Sequence, residues 1–224
     1  MRAAGRGDLA RKSLEELCSS YWFPLYAFLR RRGSAHPEAE DRVQGFFLHI
    51  LQRRDLAAVS REKGRFRAWI LTALRNFEAS QVERSRAQKR GGGALQLSID
   101  WESGFSRFAR EPVTERSPER EFERAWALQL IEQALLRVAA DYTRRGRREL
   151  FEALRDELAP GATSRPRAEL AAELDLREGA LKVAVHRLRQ RFGEALRREV
   201  AQTVADEDEV DRELADLMAV LADS

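Results

Sequence analysis

RAELAAELDLREGALKVAVHRLRQR, residues Arg167 to Arg191, divides near its middle into two helical patterns with a tight corner between them. Leu170, Ala171 and Leu174 form the inner face of the first helix, and Leu176 plugs the corner. Leu181, Val185, Leu188 and Phe192 recur at i, i+4, i+7 and i+11 on the second. Ala171 suits a close crossing, because a larger side chain would push the helices apart. On the face opposite the Leu181 stripe lie Gly179, Val183, His186, Arg187 and Gln190, flanked by Lys182 and Arg189. The pattern is that of a helix-turn-helix, whose second helix presents such residues to base edges and phosphates in a major groove. An ordinary amphipathic hairpin with a solvated basic face has the same periodicity. Asp175 at the corner accepts a left-handed conformation less readily than Gly. Arg177 stands near an N-cap that Ser or Thr would fill better.

The charge of the chain is unevenly placed. Net charge is only +3. Yet residues 61–90 hold nine Lys/Arg against three Asp/Glu, residues 177–198 seven against two, and residues 205–224 one against eight. Two basic segments imply two contacts with a polyanion, and the acidic end implies a different task. Hydrophobic residues at 43% and charged residues at 34%, with few strand-like alternations, favour a helical globular chain over disorder. The lone Cys18 excludes an intramolecular disulfide. MRAAGRGDLARK at the start lacks the apolar run of a signal peptide, and no stretch is long enough to cross a bilayer, so the expectation is a soluble cytoplasmic protein.

Helical spacing recurs along the rest of the chain. Leu14, Leu17, Tyr21, Leu25 and Phe28 mark one helix, which Pro24 is expected to kink or restart. After a break at Gly33 to Pro37, Val43, Phe46, Phe47, Ile50 and Leu51 face one side of a second. A third is expected from Phe66 to Arg90, apolar at Trp69, Ile70, Ala73, Leu74, Phe77 and Val82, and ended by Gly91 to Gly93. Leu95, Leu97 and Ile99 alternate with polar residues, but a single short strand has no partner, so this piece reads as irregular chain lying along something. Ser117 before Pro118 is a helix start, followed by Phe122, Trp126, Leu130, Ala134 and Leu135, and then by Leu150, Phe151 and Leu154. Val210, Leu214, Leu217 and Leu221 make the stripe of a last helix, with Asp206 to Glu209 at its N-terminal end. That helix is expected to pack on the second domain; its other readings are a docking helix for a partner and an acidic competitor for the basic face.

The expected fold is all-α: two helical domains joined by a flexible linker, the second with the helix-turn-helix, plus an amphipathic C-terminal helix. The ranges are 1–90, a linker at 91–118, 119–200, and 201–224.

Two blocks of the first domain, EAEDRVQGFF at residues 38–47 and VSREKGRFRAWILTALRN at residues 59–76, resemble the AED-VQ-F and FRAWL-ARN blocks of bacterial sigma factors of the extracytoplasmic-function class. The helix-turn-helix resembles that family's promoter-reading domain, and the blocks come in the family's order from about Leu14 to Arg198. The resemblance implies a promoter-specificity subunit that joins core RNA polymerase, melts and reads the minus-ten element with the first domain and reads the minus-thirty-five element with the second. It implies no covalent chemistry and no cofactor.

Carried over residue by residue, Glu40, Asp41, Gln44 and Phe47 correspond to the family's dock for the polymerase clamp helices, with Phe47 an apolar anchor or a core contact. Gly45 departs from the acidic residue usual there. The loop Ser60 to Arg65 is similar to the segment that captures a flipped minus-ten base, a step that costs a few kcal/mol of lost stacking. In this reading Lys63, Arg65 and Arg67 hold phosphates. Phe66, Trp69 and Asn76 pack against or contact the melted strand, although at helical spacing Phe66 and Trp69 also fit a core. Arg84, Arg86, Lys89 and Arg90 are backbone contacts, where charge matters more than geometry. In the second domain Lys182, Val183, His186, Arg187, Arg189 and Gln190 form the duplex-reading set, and Gly179-Ala180-Leu181-Lys182 replaces the family's Gly-Thr-Val-Lys with loss of a hydroxyl. The implied partners are core polymerase and promoter DNA, double-stranded and melted, with room for an anti-sigma protein or other regulator.

Nothing points to an enzyme. His36, His49 and His186 are scattered, Cys18 sits in an apolar helix, and Gly91 to Gly93 lacks the strand, Lys and Ser/Thr of a phosphate-binding loop. One alternative is a helix-turn-helix regulator that binds operators as a homodimer without polymerase; the Asp41 to Asn76 block is a feature it has no need for. Another is a sigma-like adaptor that keeps the polymerase dock and has lost promoter opening.

Overall fold

The computed structural model describes residues 20–53, 66–85, 106–109, 116–158, 166–204 and 206–222, with backbone only at 51–53 and 81–85. All regular structure among them is helical. In chain order the elements are α1 (residues 20–31), α2 (His36–Arg53), α3 (Phe66–Ser85), a single turn α4 (residues 106–109), α5 (Pro118–Arg144), α6 (Arg148–Leu154), α7 (Arg167–Glu173), α8 (Glu178–Ala201) and α9 (Val210–Ala222). Short 3-10 turns cover Arg155–Leu158 and Glu207–Glu209. No helix of the described residues is long and apolar enough to cross a membrane.

The chain forms two compact units. One gathers the described parts of Met1–Gln129 together with Thr203–Ser224, and the other is Leu130–Gln202. The division falls inside α5, which contributes its first part to one unit and its second part to the other.

In the first unit α1 runs through Pro24 without a break. The ring removes one backbone donor, but its neighbours Phe23, Leu25, Tyr26, Phe28 and Leu29 are almost wholly buried, so packing outweighs that loss. Ala39, Val43, Phe46, Phe47 and Ile50 on α2, and Ile70, Leu74 and Phe77 on α3, complete this part of the core. Phe46 meets Phe77 with ring centroids 5.8 Å apart. A Cβ on Gly45 would reach the Phe77 ring at 3.4 Å, so this helix position faces α3 at ordinary contact distance. The segment expected as irregular linker contains α4, whose Phe108 lies edge-on to Tyr26 and beneath the guanidinium groups of Arg30 and Arg31, each 5.2 Å from its ring centre. The extended piece at Leu95 to Ile99 and the Gly91 to Gly93 stop lie outside the described residues.

Ser117 starts α5 as expected: its hydroxyl accepts the Arg120 N–H at 3.3 Å, with Pro118 in the first helical position. In the second unit Leu130, Ala134, Val138 and Tyr142 of α5 are buried, as are Phe151 and Leu154 of α6, Leu170 and Ala171 of α7, and Leu181, Val185 and Leu188 of α8. Phe192, the fourth residue of that stripe, is half-buried.

Three helices close in the same way. At the end of α1, Ser34 N–H bonds the Leu29 carbonyl and Gly33 N–H bonds that of Arg30. At the end of α5, Arg147 N–H bonds the Tyr142 carbonyl and Gly146 N–H that of Thr143. At the end of α7, Leu176 N–H bonds the Ala171 carbonyl and Asp175 N–H that of Ala172. This six-to-one and five-to-two pairing requires a left-handed residue after the C-cap. Gly33 has φ +93°, Gly146 +66° and Asp175 +51°, and Asp175 is the only non-glycine among the described residues in that region. The corner between α7 and α8 is thus a helix stop made without glycine, which Asp tolerates better than most residues. Arg177 is the N-cap of α8 and gives it no side-chain bond.

A β-branched residue at this corner removes that tolerance. Asp175→Val should destabilise the protein by about 1–2 kcal/mol, measured by chemical denaturation with the helical content retained; an unchanged midpoint would contradict the strain assigned to the corner.

Candidate functional site

The exposed face of α8 is built by its buried one. With Leu181, Val185 and Leu188 turned inward, the helical period leaves Lys182, Val183, His186, Arg187 and Gln190 outward, and all five are exposed. None of the five has a side-chain hydrogen bond or ion pair within the described residues. Val183 is 47% exposed, an apolar side chain among cations and amides. Arg189 is set apart from this group. Its Nε and Nη2 donate to the Glu157 carbonyl at 3.2 and 2.8 Å, so its guanidinium braces the 3-10 turn after α6.

Beside this face lies a cleft of about 860 Å³, lined among others by Asp175, Gly179, Val183, Arg187, Arg147 and Arg191. Arg145 and Arg147 line it, and with Arg144 and Arg148 they make four exposed arginines around Gly146 that sequence reasoning missed. Asp141 contacts Arg191 at 2.6 Å, Arg145 at 3.1 Å and Arg144 at 3.5 Å. One carboxylate against three guanidinium groups leaves the cluster around Asp141 net positive, while Glu149, Glu173 and Asp175 add carboxylates to the cleft itself. In the sequence the signal is a short run of like charge at residues 144–148, interrupted only by Gly146.

On α2 the four expected partner contacts separate. Asp41 is exposed, Gln44 is half-buried beside it, and Glu40 is half-buried with His36 Nε2 3.2 Å from its carboxylate. His36 is itself fixed, since the Tyr26 hydroxyl lies 2.9 Å from its Nδ1. Burial pushes the Tyr26 hydroxyl pKa above its usual value, so the hydroxyl keeps its proton in this contact. Phe47 is wholly buried, tilted against Phe46 at 5.7 Å, and is therefore a core residue and no surface anchor.

At the start of α3 the expected strand contacts also separate. Phe66 and Trp69 are half-buried and tilted against each other with ring centroids 5.3 Å apart, with Tyr21 edge-on to Phe66 at 5.1 Å. Asn76 is exposed. Arg67, expected on phosphates, is only 7% exposed and its charge is engaged inside the unit. Its Nε lies 2.6 Å from Glu213 Oε1, a charge contact without hydrogen-bond alignment, while Nη2 donates to Glu213 Oε2 at 3.2 Å and to Asp216 at 3.3 Å. Glu123 stands 3.5 Å away, and the guanidinium lies 4.8 Å from the centre of the Trp126 ring. The reason is positional: Arg67, Ile70, Leu74 and Phe77 fall on one buried line of α3, so the arginine points where the apolar residues point. Lys63, Arg65, Arg86, Lys89 and Arg90 lie outside the described residues; Arg84 falls in the last turn of α3, where only backbone is described.

Glu213 and Asp216 come from α9, which belongs to the first unit and not to the second as the sequence favoured. Val210, Glu213 and Leu217 are its buried residues, and Phe66 N–H bonds the Thr203 carbonyl at 3.2 Å just before it. Comparison with protein-family models, with curated proteins and with solved structures gives no match, so the functional reading rests on the residues themselves.

Removing the cation while leaving its carboxylates in place isolates a buried charge. Arg67→Ala should destabilise the protein by about 3–5 kcal/mol, read by chemical denaturation; a loss below about 1 kcal/mol, the scale of a surface pair, would show that the cluster contributes no more than surface charge does.

Proposed function

We propose that this chain is a sigma factor, a promoter-specificity subunit that joins core RNA polymerase and reads a two-part promoter. The observation that carries the reading is the outward set Lys182, Val183, His186, Arg187 and Gln190 on α8, without internal partners among the described residues and placed directly after the α7 corner. Two helices joined by so tight a corner, with the second bearing the recognition groups, is the arrangement of a helix-turn-helix in a major groove. Lys and Arg suit guanine acceptors and phosphates, Gln suits adenine, and the exposed Val183 suits a thymine methyl. Arg144, Arg145, Arg147 and Arg148 add sequence-independent attraction for the phosphate backbone beside that helix.

The first unit supports the polymerase half of the reading. Asp41, Gln44 and the His36-held Glu40 form a polar patch on α2 over a core that includes Phe47. While Arg67 is paired with Glu213 and Asp216, the melted-strand assignment rests on Phe66, Trp69 and Asn76 among the described residues. A homodimeric operator-binding regulator would use the same α8 face and leave the α2 patch without a role.

That difference gives the test. Asp41→Ala with Gln44→Ala should weaken association of the full chain with purified core polymerase at least about tenfold, the loss of about 1.4 kcal/mol, with unchanged helical content and unchanged duplex binding. Equal association of the variant and the parent, or no association of either, would remove α2 from the interface and favour the regulator.

A further inference from the structure

We infer that the C-terminal segment is an internal competitor for nucleic-acid phosphate at the start of α3, displaced when a melted strand binds. This rests on the reading of α3 as facing DNA. The acidic helix was open to the sequence as a competitor for the basic face of the second domain; the contacts put it elsewhere. Around Phe66, Arg67 and Trp69 the groups that attract an oxyanion already hold oxygens from residues 203–216: the Thr203 carbonyl on Phe66 N–H, and the Glu213 and Asp216 carboxylates on Arg67. A carboxylate and a phosphate offer a guanidinium the same chemistry, so one can replace the other.

The docking of α9 is of a kind that can be reversed. Val210 and Leu217 are its only fully buried apolar side chains among the described residues, and the third buried side chain, Glu213, resists burial unless Arg67 is present. Met218 is 55% exposed on its outer side, and Asp206, Glu207 and Asp208 before it are exposed carboxylates. The charge cluster adds to the apolar contacts of Val210 and Leu217, and its half-exposed member Asp216 responds to salt and to competing polyanion in a way that an apolar contact does not. Asp216, with 44% of its side chain exposed, is the partner that an incoming phosphate reaches first.

The full chain tests this with a short single-stranded DNA oligonucleotide of mixed sequence. Arg212 is an exposed trypsin site inside α9, protected only while the helix stays docked and folded. Bound oligonucleotide should accelerate cleavage after Arg212 several-fold. Asp216→Asn should bind the oligonucleotide about fivefold more tightly at low salt, and the gain should vanish as salt rises. Oligonucleotide that binds while cleavage after Arg212 is unchanged or slowed, or Asp216→Asn that binds no more tightly than the parent, overturns this inference and leaves the sigma-factor reading intact. Failure of the parent and the variant alike to bind the oligonucleotide overturns the assignment of α3 to DNA, and this inference with it.

Discussion

A carboxylate withdrawn from water needs a cation beside it, and this fold meets that constraint with arginine at every buried glutamate among the described residues. Glu121 has Arg31 at 3.0 Å, Glu199 has Arg137 at 2.6 Å, Glu213 has Arg67 at 2.6 Å, and Glu157 has Arg189 at 3.9 Å, with the stronger bonds of Arg189 going to its carbonyl. Each pair joins elements distant in sequence: α1 to α5, α5 to α8, α3 to α9, and α8 to the turn after α6. Arginine suits this task because its planar fork satisfies several oxygens and it stays charged when buried. In a chain with 40 Lys and Arg, the constraint therefore sorts the cations into those that brace the fold and those that remain for a partner.

That sorting is what the sequence conveys least. Arg187 and Arg189 sit two residues apart on the same helix with the same side chain, yet one faces solvent and the other holds a carbonyl. Arg67 lies in a run with Lys63 and Arg65, and its role turns on the acidic residues of α9, almost 150 positions later. Residue type and local charge give no information about such distant partners. The apolar periodicities carry more, because a buried stripe is local: Leu181, Val185 and Leu188, the Phe46 and Phe47 pair, and Ile70, Leu74 and Phe77 are buried where the spacing put them. The start of α5 at Ser117 was equally legible, as its cap and its proline are adjacent.

Two other differences concern single residues. Asp175 stands where Gly was the better residue, and the structure places it at φ +51° within a hydrogen-bonding pattern that two glycines satisfy elsewhere. Sequence preference ranked the residue correctly as second best, while the pairing of Leu176 with Ala171 fixed the geometry. Phe108 obtains its packing from Tyr26, Arg30 and Arg31 of α1, partners far from it in sequence. In the candidate site, the outward set on α8 followed from its inward stripe, whereas the burial of Arg67 against α9 required the fold.

The central proposal is that the outward face of α8, without internal partners among the described residues, and the polar patch on α2 belong to one subunit that starts transcription. Transcription in vitro, with purified core polymerase and a randomised promoter library, tests it most directly. The account predicts defined RNA starts from a subset of templates that share two separated sequence elements, dependent on the added chain. No chain-dependent start on any template, with core polymerase active alongside another initiation subunit, would contradict it.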